Sequence, residues 1–569
     1  MTLSFTHLSF RHGMFAGVAA VALLGAGCSQ QPPGQAADAA AEAPPAENGP
    51  ADGPHHGVLQ GVVSDASGAP LEGAFVKLRD PDQRLLFMVI SQDGGHFSAE
   101  KLPAGNYEVQ GVGGDFESAW SAPVALAANA TAETNVTLAV ARAPDLAPAW
   151  PRRASETLST MDTLPEGEGK DIIARNCVLC HTVNRIAASR KTDNEWAGTL
   201  TDMHELMEGS NLPALSDEDT STLFDYLVAN LPPIDAPDPN SRFPRELMTG
   251  EAQNYRVVQF DIPAQGSEPH DVAVDPWGVG WANQRIGGKI SRFDPVTYDY
   301  SEIGPPLYTR ERARPGNLQI SRDGIMWLPD PFEIRWVSYD IAAEKWTDYP
   351  FPIDDIRGNV QGNSLALHPD GTIWESGPGA ARRLNPMTGE WSSWDTPSWT
   401  RTGFDPGGYG NTIDGNGRFW LALENANAMA RFDGETGEVV EFPLPIAESF
   451  PRRMDHDTEG NVWVGLWGAG KFVKIDQNTG DMTLIDSPVP DTGAYALDFD
   501  ETNNLMWTTL HTGDRIARYN PATGEWLVLP LPQAETDVRR VEVDQNNPNR
   551  IWFSGVANNA RIGYVELLE

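Results

Sequence analysis

The spacing of apolar and polar positions changes along this chain, and each change marks a different kind of element. From residue 58 to 140 the period is two, in runs such as VLQGVV, AFVKL, LLFMVIS, YEVQGV and TNVTLAV. Turn sequences such as DASGAP and LPAG separate them, and short β-prone runs broken by Gly and Pro predict an antiparallel β-sandwich. From 164 to 233 the spacing becomes helical, in EGEGKDIIARNC, DNEWAGTLTDMHELM and SDEDTSTLFDYLVAN. Ser216 with Asp219 three places on is a capping signal, and it predicts a last helix over residues 217–230.

From residue 255 onward the strand pattern returns and repeats. Trp281, Trp327, Trp374, Trp420, Trp463, Trp507 and Trp552 stand 46, 47, 46, 43, 44 and 45 residues apart. One Trp per repeat with a period in the forties is the mark of a β-propeller. Third strands recur as KISRFD, RWVSYD, ARRLN, MARFD, FVKID, RIARYN and ARIGYVE. The turn Thr-Gly-Glu or Thr-Gly-Asp follows at Thr388, Thr436, Thr479 and Thr523. Seven units are predicted, and the fourth strand of the seventh must come from residues 255–262, which have no unit of their own. Pairing first with last closes the ring and removes an exposed edge.

Charge and cysteine content narrow the function. With 41 Lys and Arg against 79 Asp and Glu, the net charge of −38 argues against nucleic-acid binding. The acidity suits a solvated surface outside the cell. The three cysteines, Cys28, Cys177 and Cys180, exclude a disulfide framework. Arg11 precedes a short apolar run over residues 14–27 that ends in LLGAG before Cys28, which reads as a signal peptide and not a spanning helix. Gly27-Cys28 resembles the bacterial lipoprotein cleavage box. The resemblance implies a diacylated Cys28 and a protein on the periplasmic side of the cell envelope, touching membrane only through its lipid. Residues 29–56 are Ala, Pro, Gly, Gln and Glu, a flexible tether.

Cys177-Val178-Leu179-Cys180-His181 is the C-x-x-C-H signature of c-type haem attachment. Two thiols at this spacing add to the two haem vinyls, and the next imidazole then lies under the iron. A thioredoxin-like redox pair would need a βαβ context, and the flanks here are helical. The layout resembles single-haem class I cytochromes c, in which a Trp-bearing helix carries the distal ligand seven places after the Trp. From Trp196 that position is Met203. Met207 lies one helical turn on along the same face, and His204 is rotated by about 100°, so both stay open by spacing alone. A His/Met-ligated haem suits electron transfer because both axial positions are filled.

The remaining motifs resemble two further families. Residues 61–74, with Asp93-Gly94 and the Leu102-to-Tyr107 turn, resemble the carboxypeptidase regulatory-like domain, a spacer in which His96 reads as an ordinary strand residue. Residues 255–569 resemble the virginiamycin B lyase propellers, which act by elimination with Mg²⁺, a His base and carboxylates. Glu268-Pro269-His270 matches their metal and base element. Four residues after Trp281, where that family has a second carboxylate, this chain has Arg285; Glu424 follows Trp420 by four, three blades away. Candidate catalytic residues are His270, Glu424 and His511, and Glu268 is the candidate Mg²⁺ ligand. Propeller inner strands are expected to point His270, Arg285, Asn317, Asn363, Asn411, Arg453, Tyr495 and Arg540 at one mouth, suited to a small polar or anionic ligand. His368 and His456 fall near hairpin turns and are expected in solvent.

The expected architecture is multidomain and mainly β. A lipoprotein signal peptide (1–28) and disordered tether (29–56) precede a sandwich (57–140), a linker (141–163) and a small all-α cytochrome c domain (164–233). A second linker (234–254) leads to a seven-bladed propeller (255–569). The expected function is electron transfer through one covalent haem c to a redox partner protein, with the propeller binding partner or substrate. A Mg²⁺-dependent carbon–oxygen lyase and a haem-linked recognition or sensor module are the alternatives.

Overall fold

The run LLFMVI offers no polar side chain to water, and all six residues of the strand Leu85–Ile90 are buried. The computed structural model describes residues 56–146, 161–177, 183, 186, 189–209, 215–232, 238–264, 266–354, 356, 364–490, 492–534, 536–556 and 560–568. The signal and tether with Cys28, the attachment residues Cys180 and His181, and the mouth candidate Asn363 lie outside them. Leu85–Ile90 sits within a ten-stranded sheet, between the sandwich strand Phe75–Asp80 and the strand Tyr255–Asp261. Leu85, Phe87 and Val89 join Val76, Tyr107, Val109 and the propeller's Trp552 and Tyr564 in one core. Met88 and Ile90 join Tyr255, Val257, Phe553 and Val565 in another. Burial of both faces is what a strand without polar positions requires.

The sandwich is not wholly antiparallel. Gly57–Asp65 pairs antiparallel with His96–Leu102, but parallel with Thr131–Glu133 and Val136–Leu138. Period-two patterning fixes which face a residue takes and says nothing of strand direction. His96 is an exposed strand residue, as expected.

Three helices follow: α1 (Glu168–Asn176), α2 (Asp193–Gly209) and α3 (Asp217–Asn230). The Ser216 side chain accepts from the Asp219 amide and starts α3 where the capping signal put it. Thr192 and Glu195 cap α2 reciprocally, at 2.8 and 3.3 Å. Ile172, Ile173, Trp196, Leu200, Leu223, Tyr226 and Leu227 form the block's own core. Trp196 donates its indole N–H to the Leu231 carbonyl at 3.1 Å. A Cβ at Gly169 would stand 2.3 Å from the Tyr226 side chain, so glycine lets α1 lie against α3.

The second linker is more ordered than its composition suggests. Asn240, Ser241 and Arg242 are buried between sandwich and propeller. Arg242 pairs with Asp514 at 3.1 Å, and Arg142 donates to the carbonyls of Gly114, Asn240 and Phe243.

Residues 255–567 form seven four-stranded antiparallel units, six separate sheets and one that continues the ten-stranded sheet. Their inner strands touch in sequence, and Val538–Val543 of the last returns to Pro269–Val274 of the first. The result is a closed seven-bladed propeller. The blade tryptophans are buried on second strands. Trp281, Trp420 and Trp463 donate to Asp275, Asp414 and Asp457 at 2.8, 2.8 and 2.9 Å, which ties each Trp to its own turn.

Closure is as expected: Tyr255–Asp261 pairs with Arg561–Leu567, from Tyr255 opposite Leu567 to Asp261 opposite Arg561. Closure alone would leave the far edge of that strand open, and the sandwich strand Leu85–Ile90 takes it.

Candidate functional site at the propeller mouth

Five inner strands slip register near their start: between Pro269 and Val272, Gly408 and Asn411, Pro451 and Met454, Ala494 and Leu497, and Val538 and Val541. A bulge breaks strict alternation and re-aims side chains. Consecutive residues therefore both serve the mouth: His270 with Asp271, Arg452 with Arg453, and Arg539 with Arg540. Strict alternation allowed one of each pair, so Asp271, Arg452 and Arg539 were missed; the Arg-Arg doublets were the signal available.

Around Glu268-Pro269-His270 the charges are dense. Asn283 accepts from the amides of His270 and Asp271 at 3.2 and 2.6 Å and donates to the Gly316 carbonyl at 2.6 Å, which fixes this turn to the next blade. Arg453 forms an ion pair with Asp271 and lies 3.4 Å from His270 Nδ1. Arg285 is buried, and its amide donates to the Glu268 carbonyl at 3.1 Å. Burial works to raise Glu268, but Arg285, Arg539 and Lys191 outweigh it and bring its carboxyl down to about 2. Burial and then Arg285 push His270 down to about 3 against the pull of Asp271. His270 is therefore neutral near pH 7 and a weak base.

The opposite side of the mouth is aromatic and cationic. The hydroxyls of Tyr409 and Tyr495 are hydrogen-bonded to each other. The Arg452 guanidinium lies 4.5, 4.9 and 5.6 Å from the ring centroids of Tyr409, Trp467 and Tyr495 and forms an ion pair with Glu424. His511 stacks on Tyr495 with centroids 4.7 Å apart, and its Nε2 meets Asp537, which also holds Arg539 at 2.7 Å. Burial alone would raise the Tyr409 hydroxyl, yet Arg452, Arg453 and Arg539 lower it. Arg452 Nε, Arg453 Nε and His511 Nδ1 are buried without a hydrogen-bond partner among the described residues. Each such group costs about 1–3 kcal/mol.

Deeper in the channel Arg540 pairs with Glu542 at 2.7 Å. Burial, with Glu542 and Asp455 nearby, raises Asp498 well above the usual carboxylate range.

The helical block is seated on this mouth. Asp202 of α2 is 2% exposed, and it pairs with Arg312 and, at 3.3 Å, with the buried Arg314. Both arginines belong to the loop entering blade 2. Arg312 also donates to the Ile286 carbonyl at 2.7 Å. Lys191, just before α2, is among the charges acting on Glu268. Met203, next to Asp202, is half-buried, as are His204 and Met207.

The structure thus gathers His270, Arg285, Arg453, Tyr495, Arg540, Glu424 and His511 at one end of the ring. Asn411 instead bonds the Ser364 carbonyl at 2.7 Å, and Asn317 is buried. Glu424 is engaged by Arg452. His368 is only partly exposed, held by the Gly417 carbonyl at 2.9 Å, whereas the His456 side chain is 43% exposed. Among the described residues no group of three or more His, Cys, Asp or Glu is arranged to hold a metal ion.

A carboxypeptidase regulatory-like domain matches residues 58–139. No protein of curated function matches the chain. Among solved structures, the chain is similar to a streptogramin B lyase, with 19% identity and TM-score 0.49 over 56% of this chain and all of that one. It is similar also to virginiamycin B lyase from Staphylococcus aureus, with 18% identity and TM-score 0.47 over 55% of this chain and all of that one. A third is hydrazine synthase from Kuenenia stuttgartiensis, with 12% identity and TM-score 0.41 over 52% of this chain and 95% of that one. At these identities the likeness concerns fold alone.

Proposed function

We propose that this chain is an electron-transfer protein of the bacterial cell envelope, anchored by a lipid on Cys28. Its helical block carries one covalent haem, and its propeller mouth holds the substrate or redox partner. The observation that carries this reading is the seating of α2: the helix bearing Met203 is pinned over the mouth through Asp202, Arg312 and Arg314. A ligand in the mouth would then lie beneath the helix expected to bear the sixth iron ligand.

The donor set fits haem. Cys177 caps α1 and packs against the helical core, a position compatible with a thioether to haem. Cys177 and Cys180 would hold the macrocycle, and His181 and Met203 would ligate its iron. When bound, such a group supplies a one-electron couple. The residues here orient it: Trp196 locks α2 to the end of α3, and Asp202 fixes α2 to the propeller.

The lyase reading has less support. Arg285 is turned inward beside Glu268, where Mg²⁺ would sit, and repulsion of a cation there is on the order of several kcal/mol at an effective dielectric near 20. His270, held at about 3, is poorly matched to removing a carbon-bound proton at neutral pH. These residues do not fit the ion.

The test is spectroscopic. The envelope-expressed protein is expected to give the pyridine haemochrome of a covalent c-type haem, and the double variant Cys177→Ala, Cys180→Ala to give none; covalent haem retained in that variant overturns the reading. Met203→Ala should remove the weak long-wavelength sulfur-to-iron band, and Met207→Ala should leave it. The reverse pattern reassigns the distal ligand.

A further inference from the structure

The mouth offers two chemically distinct halves, and the one across blades 4 to 7 is the better binding site. There the rings of Tyr409, Trp467 and Tyr495 surround Arg452, and His511 stacks on Tyr495 with Trp467 edge-on to both. We propose that this half of the mouth is a binding site for a small organic carboxylate with a flat, aromatic body. Arg452 and Arg539 receive the carboxylate, and the body lies against Tyr409, Tyr495 and Trp467. The proposal rests on the reading that the mouth holds a small ligand, and it names that ligand's chemical class.

First, the donors are fixed from behind. Arg452 gives one guanidinium nitrogen to Glu424, and its buried Nε has no hydrogen-bond partner among the described residues; Arg539 is held by Asp537 at 2.7 Å. Carboxylates at the back of each donor hold it in place, so little freedom is lost when a ligand arrives. Second, the potential is positive where a ligand anion would lie: the Tyr409 hydroxyl is made more acidic by Arg452, Arg453 and Arg539 although burial opposes it. Third, the lining is partly open. The side chains of His511, Arg452, Asp537, Glu424 and Arg539 are 11, 14, 19, 21 and 25% exposed, against 2% for Arg453 deeper in the ring.

Aromatic walls with fixed cationic donors favour a flat acid over a flexible one, because the ring faces add stacking to the charge-assisted bonds. Inorganic phosphate lacks the apolar body and is expected to bind more weakly.

The probe is benzoate, titrated by calorimetry into the full-length protein, with succinate and inorganic phosphate as comparisons. Benzoate is expected to bind saturably and at least tenfold more tightly than either. Arg452→Gln and Tyr409→Leu should each weaken it about tenfold, while Arg322→Gln, on an exposed loop, should not change it. Tyr409→Leu removes the ring face and leaves Arg452 in place, so it remains informative if Arg452→Gln does not fold. No saturable benzoate binding at millimolar concentration, or binding indifferent to both mouth variants, overturns the proposal. Haem retained and reducible in the same preparation would show that the pocket assignment had failed while the electron-transfer reading stood.

Discussion

His270 carries a pH dependence that its position dictates. Its folded-state pKa of about 3 lies below the ordinary imidazole value, so between about pH 6.5 and 3 the unfolded chain binds a proton that the folded one refuses. Stability must fall as pH drops through that window, by up to about 1.4 kcal/mol per unit. Glu268 and Asp271, both held at about 2, add a second loss below about pH 4.5. His270→Gln should flatten the upper part of the slope, read as denaturant midpoints at several pH values; an unchanged slope would mean the imidazole is solvated. The motif that places His270 could be read directly from Glu268-Pro269-His270. Its neutrality could not, because it comes from Arg285 fifteen residues on and from burial by a closed ring. Arg452 and Arg539 escaped for a different reason: a bulge is a local backbone event, and an Arg-Arg doublet does not reveal which residue turns inward.

Among the elements, the strand Leu85–Ile90 couples two domains. Phe87 is 2% exposed, lies opposite Val258 of the closing strand, and shares a core with Trp552 and Tyr564 of the last blade. Phe87→Ala is expected to cost about 3–5 kcal/mol. Because the core is shared, the loss should appear in the propeller's own unfolding midpoint, followed by its tryptophan fluorescence, and not only in the sandwich. A propeller midpoint that stayed put would mean the two domains unfold independently. The blade strands were legible because each repeats a Trp, a turn and a third strand. The continuous apolar run announced that Leu85–Ile90 was covered on both sides, but not by what. Its partner lies some 170 residues away, and no local pattern encodes such a pairing.

In the molecule as a whole, the seat of the helical block depends on a few charges. Arg314 is 3% exposed, and Asp202 is its close acidic partner. Asp202→Asn removes the ion-pair partner of that buried guanidinium and leaves it the charge of Glu268 alone, a loss of up to about 3–5 kcal/mol for a pair of this kind. Hydrogen exchange should quicken along α2 while blade 4 keeps its protection; uniform exchange across both would show that the clamp does not hold the block. The domain order, the ring of seven and the three helices followed from periodicity. The placement of the helices over the mouth did not, since one aspartate on a helix is indistinguishable from a solvated charge until its partners are known.

The closing strand has a consequence for synthesis. Tyr255–Asp261 leaves the ribosome roughly 300 residues before Arg561–Leu567, its partner in the ring. A lone strand with that many residues still to come is exposed to pairing with neighbouring chains. Here the sandwich is already made, and its strand Leu85–Ile90 offers the waiting segment a native partner on one side. The N-terminal domain thereby acts as a built-in template: it holds one half of the seam in register until the last strand of the protein arrives to complete it.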